Sequence, residues 1–173
     1  MYAKVAGTIE PSEEHFEFES EIKGGCIPQE YIKSVESGFM DAMAEGPLEG
    51  HPLTGVKVVL KDGGTHEQDS SDLAFRIAAA RALKEFIGRC LPYVLEPVMK
   101  VEVETPSDYQ GAVMGDLNRR RGCISGVSVT GSAAVVAAEV PLARMFGYNS
   151  QMLSLTKGEA SFNMEFLRYD RRT

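Results

Sequence analysis

Between Val98 and Tyr169 the spacing of apolar residues switches between two and about 3.6 in a set order, and few folds accept that order. Strand spacing governs residues 98–104 and helical spacing residues 107–120. Two more strands, 123–130 and 133–140, are separated only by Gly131-Ser132, which is short enough for a tight turn. Helical spacing returns over 142–155, and a last strand covers 160–169. That strand sets Ala160, Phe162, Met164 and Phe166 on one face against Ser161, Asn163 and Glu165 on the other. The order βαββαβ predicts a ferredoxin-like unit.

The first half is also α+β, but in a different order. Ala3, Val5, Gly7 and Ile9 alternate with Lys4 and Thr8, as in a strand. From His15 to Ile22, Phe16, Phe18 and Ile22 alternate with glutamates, which fits a sheet with one wet face. Gly24-Gly25 ends that strand, and Pro28 suits the start of a helix because its missing amide proton costs nothing there. The helix runs over 29–44 on Ile32, Val35, Phe39 and Met43, and Gly46-Pro47 stops it. A strand over 56–60 leads into the loop 62–68, then a helix with Asp69 as its expected N-cap and Asp72 in its first turn. Its apolar stripe is read as Leu73, Ile77, Ala80, Leu83 and Ile87. Cys90-Leu91-Pro92 closes the segment, so two domains are expected, 1–93 and 94–173, with separate cores joined near 91–95.

Charge separates the halves. The chain carries a formal net charge of −7, and residues 1–93 hold all of it: 16 acids against 9 bases, while 94–173 hold 9 of each. Global charge therefore excludes no RNA partner, because the second half concentrates cations in Arg119-Arg120-Arg121 and in Arg168, Arg171 and Arg172. The longest apolar stretch, 133–138, is too short for a membrane span, and no signal peptide is visible. Cys26, Cys90 and Cys123 are odd in number and widely spaced, which favours a reducing intracellular compartment; each is expected to be a small core hydrophobe. There is no Gly-x-x-x-x-Gly-Lys-Ser/Thr loop for a nucleotide phosphate, and His15, His51 and His66 are too scattered to suggest a metal site.

Two segments bear on function, each with two readings. Residues 62–71, with Gly63, Gly64, His66, Glu67, Asp69 and Ser70, form a strand-to-helix connection with turn glycines and a capping acid. Alternatively, they project an imidazole, a carboxylate and the bare amides of a helix start, which together suit phosphate and unpaired bases. Arg119, Arg120 and Arg121 either complement the carbonyls at a helix end or contact phosphate. An enzyme of another class would use His66 with Glu67 or Asp69 as an acid–base pair.

The runs His66-Glu67-Gln68-Asp69-Ser70-Ser71-Asp72-Leu73-Ala74-Phe75-Arg76-Ile77-Ala78, Leu95-Glu96-Pro97-Val98-Met99-Lys100-Val101-Glu102-Val103 and Gly115-Asp116-Leu117-Asn118-Arg119-Arg120-Arg121-Gly122 resemble segments of elongation factor G. So do Val140-Pro141-Leu142-Ala143-Arg144-Met145-Phe146-Gly147-Tyr148 and Phe162-Asn163-Met164-Glu165-Phe166, and the resemblance extends from Tyr2 to Tyr169. It implies that 1–93 are most of domain IV, with the fold of the second domain of a small-subunit ribosomal protein, lacking its first strand and glycine-rich tip loop. It implies that 94–173 are the ferredoxin-like domain V, stopping before a further helix. The parent would be a GTPase using GTP and Mg that drives translocation of transfer and messenger RNA on the ribosome. This piece, monomeric and with no cofactor of its own, would supply a tip for the decoding centre, with His66 matching the tip histidine, and a contact to ribosomal RNA at the stalk base. Tetracycline ribosome-protection and ribosome-recycling paralogues share the architecture. The implied location is the cytoplasm, bacterial in the first instance and mitochondrial in the second, with no membrane partner.

Overall fold

In the computed structural model, which describes residues 1–172, the chain divides into two compact units, Met1–Tyr93 and Val94 onward. Each has its own apolar cluster, and the two clusters share no residue.

The first unit contains a three-stranded sheet in the order β1-β3-β2, from β1 (Lys4–Pro11), β2 (Phe16–Ser20) and β3 (Val56–Gly64), with helices α1 (Gln29–Ala44) and α2 (Asp72–Phe86). β3 pairs antiparallel with β1 and parallel with β2, so α1 is the crossover that a parallel pair requires. Alternation decides the faces. Val56, Val58 and Leu60 of β3 enter the core with Phe16, Phe18, Val5 and Ile9. On the opposite face Lys57 binds Glu19 at 2.9 Å and lies 4.0 Å from Glu17, and the Glu19 carboxylate raises the lysine's pKa. The glutamates that suggested a wet face are therefore half of a cross-strand charge ladder.

Helix α1 buries Val35, Phe39 and Met43 as its spacing predicts. The stripe on α2 is the expected one only toward its end: Leu83 and Ile87 are buried, but Phe75 and Ala79 are buried ahead of them and Leu73 is 56% exposed. Phe75 takes the central place because its ring stacks on Tyr31, with centroids 5.0 Å apart. The N-cap differs too. Ser71, not Asp69, caps α2, its hydroxyl accepting from the Ala74 amide at 3.2 Å. Asp69 stands two residues before that cap.

The second unit contains β4 (Leu95–Pro106), α3 (Gln110–Arg119), β5 (Cys123–Thr130), β6 (Ala133–Pro141), α4 (Tyr148–Leu155) and β7 (Ser161–Arg171). Its sheet order, β5-β6-β4-β7, places the two central strands between the edges and makes the unit ferredoxin-like. Short 3-10 turns, Ser107–Tyr109 and Leu142–Arg144, replace the starts of both expected helices. Val101 and Val103 of β4 and Val136, Ala138 and Val140 of β6 form the inner face, closed by Val113, Leu117, Tyr148 and Met152. The outer face is ionic: Lys100 bridges Glu102 and Glu165, and Arg168 meets Glu139 at 2.8 Å.

Alternation and burial part company in two places. Ala160, just before β7, is buried and Phe162 on it is partly covered, while Met164 and Phe166 are 38% and 54% exposed. β7 is an edge strand, and Tyr148 of α4 covers it only as far as Phe162, edge to face at 5.0 Å. Nor are the cysteines core residues: Cys26 is partly buried, and Cys90 and Cys123 are exposed. Cys26 hydrogen-bonds Asp62, and Cys123 begins the edge strand β5.

The helix pair in the first unit depends on a missing side chain. A Cβ on Gly38 would lie 2.2 Å from the Arg76 carbonyl oxygen and 2.9 Å from the Ala79 Cβ. Gly115 in α3 has nothing within 4 Å of the same position. Gly115→Ala should therefore stabilise the second unit by about 0.5–1 kcal/mol, as glycine-to-alanine changes in helices ordinarily do. Gly38→Ala should instead destabilise the first unit by about 1–3 kcal/mol through overpacking. Chemical denaturation of the two variants checks the opposite signs.

Candidate nucleic-acid interface

The connection from β3 to α2 is a compact turn closed on itself. The His66 amide donates to Ser70 Oγ at 2.8 Å, and the Asp69 and Ser70 amides both donate to the His66 carbonyl, at 3.2 and 3.1 Å. The Gln68 amide approaches His66 Nδ1 at 3.4 Å. Ser70 Oγ donates to the Tyr2 carbonyl and the Tyr2 amide to the Asp69 carbonyl, both at 2.8 Å, which ties the turn to the segment before β1. The imidazole stands out of this frame, 57% exposed, with Asp69 Oδ2 at 3.4 Å and the Tyr2 ring edge-on at 6.5 Å. Nδ1 accepts from Gln68 only without a proton and donates to Asp69 only with one, so it cannot make both contacts at once.

Several of the amides in this segment are therefore occupied. Those of His66, Gln68, Asp69, Ser70 and Ala74 all have acceptors inside the turn. Glu67, Asp69 and Asp72 surround the helix start, and Asp72 accepts from Ser34 Oγ. An acidic, self-satisfied turn repels phosphate. What it offers outward is the ring of His66 on a rigid base. Gly63 and Gly64 belong to β3, opposite Val5 and Lys4, and not to the loop. A Cβ on Gly63 would lie 2.3 Å from Ile27 Cδ1, so this glycine lets the core close beneath the strand end.

The three arginines divide in role. Helix α3 ends in a Schellman motif: the Gly122 amide donates to the Leu117 carbonyl at 2.9 Å and the Arg121 amide to Asn118 at 3.0 Å, with Arg121 left-handed at φ 61. Arg120 turns inward and keeps only 17% of its side-chain exposure. Its Nε binds Asp116 Oδ2 at 2.8 Å, its Nη1 donates to the Arg144 carbonyl at 2.6 Å and the Phe146 carbonyl at 3.4 Å, and its guanidinium lies 5.0 Å from the Tyr148 ring centre. Asp116 is itself buried and also meets Arg119 Nη2 at 3.4 Å. Arg120 is thus internal structure, whereas Arg119 is 70% exposed. Spacing cannot separate these neighbours; only the buried acid one turn back marks Arg120 as the residue that folds in. Tyr148 lies over the same cluster with its hydroxyl buried and unbonded, and desolvation pushes its pKa up to about 12.

An acid–base enzyme finds little support in this geometry. His66 and Asp69 are each more than half exposed. A cleft of about 410 Å³ in the first unit lies between β1 and the end of α2, lined by Val5, Ile9, Leu60 and Phe86 among others, and includes neither residue. Among the described residues no group of three or more His, Cys, Asp or Glu side chains is placed to hold a metal, and no helix is long and apolar enough to cross a membrane.

Comparison with known proteins assigns both units. The family model for elongation factor G domain IV matches residues 1–90, and the model for the elongation factor G C-terminus matches 93–172. Two such units in this order define the chain as the carboxy-terminal region of a translation elongation factor. The chain belongs to the elongation factor G family. It is 52% identical over 170 residues to elongation factor G 1 of Syntrophus aciditrophicus (strain SB), covering 98% of this chain and 24% of that protein. A crystal structure from Thermus thermophilus matches with a TM-score of 0.83 and 35% identity, over 99% of this chain and 28% of the other. The chain thus spans about a quarter of the length of these relatives.

The Asp116 cluster predicts two unequal substitutions. Asp116→Ala strips Arg120 of its carboxylate while the guanidinium stays largely enclosed, and should cost about 2–3 kcal/mol, less than a fully buried pair because Arg120 keeps some water. Tyr148→Phe removes a hydroxyl that has no partner and should be neutral or slightly stabilising. Thermal unfolding of the two variants beside the parent chain distinguishes them.

Proposed function

We propose that this chain is the part of a translocating elongation factor that enters the ribosome, with residues 1–93 acting as a domain IV that mimics a transfer RNA arm and 94–173 as domain V. The tip is the turn of His66, Glu67, Asp69 and Ser70, which meets RNA in the decoding centre near transfer and messenger RNA, while Gly63 and Gly64 shape the strand that carries it. The observation that carries this reading is the exposed His66 ring on a turn closed by the amides of His66, Asp69 and Ser70. A ring held this way can stack on or hydrogen-bond an unpaired base, and the acidic surroundings keep phosphate backbones at a distance. The Arg119 side of the second unit contacts ribosomal RNA at the stalk base. GTP and Mg belong to the parent protein's GTPase domain, and the setting is the bacterial cytoplasm.

Replacing His66 by alanine should leave the melting temperature of the chain almost unchanged, since exposed substitutions usually stay within about ±0.5 kcal/mol. In the full-length factor it should slow translocation and spare GTP hydrolysis, which takes place in another domain. A normal translocation rate together with a clearly lowered melting temperature would refute the tip reading. The 173-residue chain should also show no saturable binding of labelled GTP in equilibrium dialysis.

A further inference from the structure

Phe146 is 79% exposed, a large cost for an aromatic ring unless something uses it. Its exposure is built in. Met145 on one side is 6% exposed and Tyr148 on the other 1%, so the core positions beside it are filled. Gly147 between them adopts φ 72, which turns the chain sharply before α4. From beneath, Arg120 Nη1 holds the Arg144 and Phe146 carbonyls while Asp116 holds Arg120. The ring is presented by a loop whose backbone is clamped.

The surroundings of that ring are cationic. Arg144 is exposed two residues before it. Asp116, which anchors Arg120 beneath the loop, also meets the exposed Arg119. One buried carboxylate thus gathers two arginines at the end of α3, and one of them, Arg120, holds the loop after β6 that carries the ring. An exposed ring on a loop with exposed arginines in the same cluster has the chemistry of a base-stacking platform with phosphate contacts nearby.

We propose that Phe146 stacks on an unpaired base of ribosomal RNA, with Arg119 and Arg144 on the neighbouring phosphates and Arg120 as the positioning residue that holds the platform. This deepens the ribosome-binding reading above and rests on it. A protein partner for the same ring is the competing outcome; the arginines favour the polyanion.

The test uses the full-length factor and bacterial ribosomes, with affinity measured by co-sedimentation over a range of salt concentrations. Phe146→Leu keeps an apolar side chain but no stacking face, and should weaken binding by about 5- to 100-fold, whereas Phe146→Trp should bind as tightly as the parent or more so. Arg119→Ala and Arg144→Ala should each lower the slope of log affinity against log salt by about one. A photoreactive phenylalanine analogue at position 146 should cross-link to ribosomal RNA. Equal binding by Phe146→Leu, or a cross-link to a ribosomal protein, overturns the stacking proposal while leaving ribosome binding intact. Failure of the unsubstituted factor to sediment with ribosomes overturns the ribosome-binding reading itself. The melting temperature of the Phe146→Leu chain should be unchanged, which separates lost contact from lost fold.

Discussion

The central strands, β3 in the first unit and β4 and β6 in the second, have ladders on both edges, so their backbones are committed and only their side chains can choose a face. With helices closing one face of each sheet, every second residue on these strands must be apolar. Val56, Val58 and Leu60 meet that demand on β3, Val101 and Val103 on β4, and Val136, Ala138 and Val140 on β6. The opposite faces are held by charge ladders around Lys57, Lys100 and Arg168. Both candidate surfaces grow from the ends of this frame: the His66 turn continues β3, and the Phe146 loop follows β6.

The two surfaces are rigid for different reasons. The His66 turn is held by hydrogen bonds from main chain and serine, in an acidic setting with most groups open to water. The Phe146 loop is held by a charged group folded inward, the Arg120 guanidinium shared between a buried carboxylate and two carbonyls. In water such contacts contribute little, but inside a closed site they are strong and demand complete satisfaction. A turn of the first kind loses its shape one bond at a time. A clamp of the second kind fails as a unit, and it fixes the loop at the same moment as the core beneath it.

Much of the architecture is legible in residue order. The alternation of Phe16 and Phe18 with glutamates, the spacing of Val35, Phe39 and Met43, and the turn at Gly131-Ser132 each name an element and its inward face. These signals are local, because a strand or helix buries one face whatever it packs against. Leu73 illustrates the limit: it fits a helical stripe as well as Phe75 does, and only the partner ring of Tyr31 decides which is buried. Phe166 shows the same limit on a strand, where alternation gives the side but not whether a helix reaches that far.

By itself, then, the sequence determined the kinds of element, their order, the ferredoxin-like second unit and the candidate segments, because period and turn residues act within a few positions of one another. Tertiary structure alone decided which atoms of those segments are available. Ser71 instead of Asp69 at the helix cap, the occupied amides around His66, the strand placement of Gly63 and the inward turn of Arg120 all depend on groups distant in sequence or on the competition among near neighbours for one acceptor. Exposure is likewise a tertiary property. Phe146 looks like one more core aromatic until Met145 and Tyr148 fill the space on either side of it.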